Sequence, residues 1–378
     1  MAAFASAMSM HPVPAHAVGE TAGELLDLLD GDPDLVVCFA SPHFAGALDD
    51  MAHAIRNLLG PRVLLAMTTS GVVGGGQEVE DGPAIAMLAA SLPDAAVTPA
   101  VLQVTETPDG TTITGWPELD GNPETLVLLA DPFSFPVDTF LRRLHDDRPE
   151  LTVVGGMASA GPRPGTNRLV ADETVIAEGA VGVFLHGASV ETVVSQGCRP
   201  VGTPFVATNT HGRFVDELGG RPAIERLQEL AASMTDADRA LLQRELHLGV
   251  VIDEHKDDFT RGDFLIRNVM GLDRDSGALA VGDTVEIGQT VQFQVRDAAS
   301  ADEDLRDLLA GRDAAGALLF TCNGRGRGLF GTPDHDAGVI AEFLGPVPLA
   351  GGFCAGEIGP VGGQNFLHSF TASIALFG

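Results

Sequence analysis

VVCFA (36–40), ALDDMAHAIRNLL (47–59), VLLAMTTSG (63–71) and AIAMLAA (84–90) decide the fold of this 378-residue chain. A short apolar run leads through a polar segment into a helical stretch, a second run ends in a small-residue turn, and a third run follows. Such runs, continuous in Val and Leu and alternating with amphipathic stretches, read as strands buried on both faces and joined by β-α-β crossovers. The order returns as LVLLA (126–130), PVDTFLRRL (136–144), TVVGGMASAG (152–161) and GAVGVFLHG (179–187), and again as ALLFT (317–321), DAGVIAEFL (336–344), VPLAGGFCAGE (347–357) and TASIALF (371–377). The second strand starts 26 to 30 residues after the first in each case, which predicts one unit used repeatedly, each crossover right-handed.

The stretch between the second and third copies has another character. PFVATNTHGRFVDELGG (204–220) reads as two strands joined at His211-Gly212, and RPAIERLQELAASM (221–234) as a helix with Pro222 near its first position. LGVVID (248–253), FLIRNVMGLD (264–273), GALAVGD (277–283) and TVQFQVRD (290–297) alternate like antiparallel strands, with a turn at 273–277. Ser300 and Glu303 have the spacing of a capping box for a helix over 301–310. The expected fold is therefore α/β, repeated β-α-β units with helices packed on sheets and α+β elements in the middle. Two domains are expected, 20–197 and 198–378, divided near 197–203, where Pro and Gly break both periodicities, after a flexible tail at 1–19.

Charge and composition exclude whole classes. Lys and Arg total 22 against 52 Asp and Glu, a net charge of −30 that repels phosphate backbones and anionic lipid, so nucleic acid and membranes are not expected partners. The N-terminal stretch lacks the charged and apolar regions of a secretory signal, and the four cysteines, Cys38, Cys198, Cys322 and Cys354, form no C-x-x-C pair; a cytoplasmic protein with reduced thiols is expected. There is no Tyr, and Lys256 is the only lysine, so chemistry needing a catalytic Tyr is excluded and a Schiff base has one candidate.

With these stretches in view, the chain resembles FIST proteins, which pair an N-terminal and a C-terminal FIST domain. The likeness rests on LGGRPAIERL (218–227), FLIRNVMGLDRDSGALAVGDTVEIGQTVQF (264–293), GALLFTCNGRGRGLF (316–330) and VPLAGGFCAGEIGPVGGQNFLHSFTASIALF (347–377), and covers nearly everything from Glu20 onward. The resemblance implies a sensory domain that binds a small ligand, an amino acid or similar metabolite. FIST regions also occur fused to signalling modules or to an F-box; 378 residues leave no room for one here, so the expected output is a separate signalling protein.

The richest cluster is 321–328, Thr-Cys-Asn-Gly-Arg-Gly-Arg-Gly. Alternate glycines let backbone amides converge while Arg325 and Arg327 offer bidentate donors beside Asn323, which suits a carboxylate or phosphate; the plain alternative is a surface loop whose arginines pair with nearby acids. Cys354 and Glu357, with Asn365 and His368 downstream, are expected at the same sheet edge, Glu357 receiving an amino group. Ser70 and Ser159 occupy the matching turns of the N-terminal half as candidate hydroxyl donors, although such residues are common in turns for local reasons. Gly326 to Gly331 fits G-x-G-x-x-G weakly, since Pro333 precedes the helix, and Gly74-Gly75-Gly76 reads as a turn. No cofactor, metal site or catalytic residue is assigned; Asp334-His335-Asp336 alone makes a poor metal site. Two other readings compete with ligand binding: an enzyme using Cys354 as nucleophile, and an interaction scaffold.

Overall fold

The computed structural model describes residues 2–107, 110–119, 121–273 and 276–378. The turn expected at 273–277 includes 274 and 275, which lie outside them. The chain forms two compact units. The first comprises Met1–Val194, Leu305–Leu367 and Thr371–Gly378; the second comprises Ser195–Asp304 and His368–Phe370.

The first unit holds three mixed sheets with one strand order. Leu35–Ala40 runs parallel to Val63–Thr68, Thr125–Ala130 to Thr152–Met157, and Gly316–Cys322 to Leu349–Cys354. Beside the first strand of each pair lies an antiparallel third: Ile85–Ser91, Ala180–His186 and Thr371–Phe377 respectively. On the far side of each pair lies a hairpin from a different segment. Val72–Gly74 with Gln77–Val79 joins the strand Leu349–Cys354, Leu169–Ala171 with Thr174–Ile176 joins Val63–Thr68, and Glu357–Val361 with Gln364–His368 joins Thr152–Met157. The hairpins thus pass from first segment to third, third to second, and second to first.

The continuous apolar runs follow from burial on both faces. In Leu35–Ala40, Leu35, Val37 and Phe39 point into a core shared with Val127, Val154, Leu318 and Phe320 of the other two sheets. Val36 and Cys38 point the other way, against Val18 and Leu25 of helix Pro14–Leu28 and Met51 and Ile55 of helix Leu48–Leu59. The other sheets repeat the arrangement, with Phe140 and Leu144 of Val137–Asp147 over one and Leu305 and Ile340 over the other.

Close approach between the sheets explains two glycines inside the strands. A Cβ on Gly156 would lie 2.5 Å from Cys354 Sγ, and one on Gly352 would lie 2.6 Å from Thr69 Cγ2. Gly352→Ala is accordingly expected to cost about 1–3 kcal/mol by overpacking, read as a lower urea midpoint at unchanged slope.

The second unit is an antiparallel barrel. Thr290–Arg296, Phe205–His211, Phe214–Leu218, Leu279–Val281, Phe264–Leu272 and Leu246–Val251 pair in that order, and the last pairs back with the first. Helices Ala223–Ser233 and Asp236–Arg244 pack on it through Leu230 and Leu242.

Two expectations are corrected. Residues 1–19 do not hang free: Ala3–Ser9 pairs along its length with Ile85–Ser91, burying Ala5 and Ala7, and Pro14 opens a helix. The parallel pair of each segment lies in a sheet of its own. The helix expected from 301 starts at Ala298, so Ser300 lies within it and donates to Asp297 Oδ2 at 2.8 Å instead of capping. Helix Asp236–Arg244, capped by Thr235, had no counterpart in the sequence reading.

Candidate ligand site

The three strand-end turns of the first unit are stitched to one another. Ser159 N donates to Thr68 O at 3.2 Å, Met157 N to Gly356 O at 2.9 Å, and Phe353 N to Gly71 O at 3.0 Å. Ser159 Oγ accepts from Ser70 N at 2.8 Å and donates to Phe353 O. Ser70 and Ser159 are therefore brought together, with the Ser159 hydroxyl joining all three turns.

Arg325 and Arg327 part company. Gly326 between them sits at φ 61°, a conformation glycine adopts freely, and the chain reverses there. Arg327 is exposed; its backbone N donates to Glu80 Oε1 at 2.9 Å. Arg325 turns inward until its side chain is 0% exposed. Its Nε and Nη2 donate to Asp336 Oδ2 and Oδ1 at 2.8 and 2.7 Å, a fork matched to a carboxylate, and its guanidinium lies 5.1 Å from the Phe330 ring centre. Asp336 also accepts from Thr321 Oγ1 at 2.7 Å. Burial opposes the Asp336 charge, yet Arg325 holds its carboxyl well below the usual range. Nη1 of Arg325 is left buried without a hydrogen bond.

Glu357 and Cys354 share this surrounding with Arg325. Glu357 is fully buried, and its Oε2 accepts from Thr371 N and Oγ1 at 3.1 and 2.9 Å. Burial pushes its pKa up to about 8 against the pull of Thr371 and the Arg325 charge, so the carboxyl is mostly protonated at neutral pH. The Cys322 thiol is near enough to favour the ionised form, but Oε1 has no hydrogen bond of acceptable geometry. Cys354 lies opposite Cys322 in the parallel register, and burial, reinforced by Glu357 and Cys322, pushes its thiol well above the usual value. That is the setting of an unreactive thiol.

Asn323 is exposed, its backbone N donating to Cys354 O at 2.8 Å, and Ala355 in the facing turn is exposed as well. Asn365 is not part of the cluster. Its amide clasps Val153 N at 2.8 Å and Leu151 O at 2.7 Å, at the opposite end of the strand from Met157, roughly 13 Å away at strand rise. Sequence reasoning gave no role to Asp336 or Thr371, nor to Thr321 and Cys322 within 321–328, and did not single out Glu78. Glu78, on the hairpin Val72–Gly74 with Gln77–Val79, reaches Ala337 N at 3.0 Å, and burial followed by the Asp336 charge raises its pKa to about 7. Asp336 was noticed only within Asp334-His335-Asp336, a poor metal site; among the described residues no group of three or more His, Cys, Asp or Glu could hold a metal ion. No helix among them is long and apolar enough to cross a membrane.

Comparison with known proteins places the chain in a family. The FIST N domain matches residues 34–221 and the FIST C domain matches 223–360. An uncharacterized protein of Mycobacterium tuberculosis is 46% identical over 371 residues, covering 96% of this chain and 94% of its own. An uncharacterized protein of Mycobacterium bovis is 44% identical over 375 residues, covering 97% and 96%. The chain belongs to the FIST family, with both of that family's domains present.

Proposed function

We propose that the chain is a sensory protein that binds a small carboxylate, an amino acid or a similar metabolite, beside Arg325 and Glu357, and reports its occupancy to a separate partner. One observation carries the reading: Nη1 of Arg325 and Oε1 of Glu357 are buried polar atoms without a hydrogen bond of acceptable geometry, in one surrounding. Each such atom costs about 1–3 kcal/mol, and a native fold keeps few of them without a use. A guanidinium N–H and a protonated carboxyl are both donors, and an incoming carboxylate accepts from both. The raised Cys354 thiol supports binding over nucleophilic attack.

We infer also that 36–90, 126–187 and 317–377 are copies of one unit. What supports this is the common strand order, the parallel pair in each, and the hairpin that each segment passes to another sheet. The copies then differ in their loops: only the third places an arginine after its first strand, which is why one turn of three carries the charge.

The test is a thermal-shift panel of amino acids, small carboxylates and phosphates on the full chain, where one-site binding raises stability as RT ln(1 + [L]/Kd). Carboxylates are expected to give the hits. Arg325→Lys keeps the charge and loses the planar fork, so affinity is expected to fall by about 1–3 kcal/mol, while Arg327→Lys, at an exposed pair, changes it by less than about 1 kcal/mol. Equal losses from both substitutions would return the site to the surface loop.

A further inference from the structure

We propose that the barrel of the second unit has its own binding site, for a medium-chain carboxylate, in the cavity between its two helices and the strand Phe264–Leu272. The cavity holds about 450 Å³, within the range of small-molecule sites. Leu227, Leu242, Leu246, Val269 and Leu272 form much of its wall. The wall arises because the strand changes character along its length: Phe264 and Ile266 are buried, whereas Met270 and Leu272 are 66% and 40% exposed. A register shift between Val269 and Gly271 accompanies that change.

Charge selects the occupant. The described lining includes Arg239 and Arg244 and no Asp or Glu, in a chain where acids outnumber bases 52 to 22. Arg239 is committed, donating to Ala231 O and Met234 O at 2.9 Å each and to Asp236 Oδ1 at 2.8 Å. Arg244, in the last turn of its helix, is exposed and forms no hydrogen bond or ion pair among the described residues. An apolar wall, with one cation at its rim that is uncommitted among the described residues, suits an acyl chain that ends in a carboxylate. At about 30 Å³ per water-sized group the cavity takes roughly 15 such groups, the scale of a ten-carbon acid with room to move. The site uses none of the residues around Arg325, so it stands or falls separately from the reading above.

The experiment titrates the full chain with decanoate below its micellar concentration, using calorimetry, beside decylammonium and butanoate. Decanoate is expected to bind saturably at one site, with decylammonium and butanoate at least tenfold weaker. Arg244→Glu is expected to weaken decanoate at least tenfold, and Leu272→Glu, at an exposed rim position the fold tolerates, to do the same. Circular-dichroism melts of the unliganded variants establish that both remain folded. Absence of saturable decanoate binding overturns the proposal, as does decanoate binding that both variants retain. Concentration-dependent self-association of the parent chain that decanoate leaves intact and Leu272→Glu abolishes also overturns it, since the apolar wall then seats a second copy.

Discussion

Asp336→Ala is expected to lower the unfolding free energy by about 3–5 kcal/mol, a loss that could leave the variant partly unfolded at 37 °C. Asp336 is the only acid hydrogen-bonded to the fully buried Arg325 among the described residues, through both carboxylate oxygens. Removing it strands a guanidinium with no water to solvate it, and Thr321 Oγ1 loses its acceptor in the same step. Asp336→Asn keeps the shape and one acceptor, and should recover part of the loss. Urea unfolding of the three proteins measures this; an Ala variant within 1 kcal/mol of the parent would mean that solvent reaches Arg325 freely.

The second large effect is one of pH. The Glu357 carboxyl ionises near 4.5 when unfolded and near 8 when folded, because burial penalises its charge. Between those values the folded state holds the extra proton, so its contribution to stability falls as pH rises, to a cost of roughly 4–5 kcal/mol by pH 8. Glu78, raised to about 7, acts in the same direction to a lesser extent. Glu357→Gln should therefore change stability little at pH 5, raise it by several kcal/mol at pH 8, and remove about one proton from the slope of stability against pH between them. Parallel curves for parent and variant would show that the carboxyl is solvated and ionises normally.

The sequence reading found the parallel pair, the antiparallel third strand and the connecting helix of each of the three segments because those strands are buried on both faces and carry unbroken apolar runs. It missed the exchanged hairpins for a physical reason: strands such as Val72–Gly74 and Leu169–Ala171 are three residues long, and their register against a strand of another segment is what defines them. Gly75-Gly76 was legible as a turn, with both φ positive at 56° and 75°, but not as the tip of a hairpin paired with a strand some 280 residues later. Ala3–Ser9 was missed because alanines at alternate positions bury little area and give a faint period. At the site, residue types sufficed to single out 321–328 and Glu357. They could not tell which arginine turns inward. That choice depends on Gly326, where a Cβ would lie 2.8 Å from the Glu80 carboxylate, and on Asp336, which the intervening loop brings back beneath Arg325.

The central claim is that Arg325 Nη1 and Glu357 receive the ligand, and the arginine side-chain ¹H–¹⁵N spectrum of the full chain tests it most directly. Arg325, buried and paired, should give slowly exchanging guanidinium signals distinct from those of exposed arginines such as Arg327. Saturation with a carboxylate from the thermal-shift panel is predicted to shift the Arg325 signals, with Nη1–H protons moving downfield as they gain an acceptor, while those of Arg327 stay in place. A carboxylate that binds and stabilises the chain yet leaves the Arg325 signals unmoved would contradict the account.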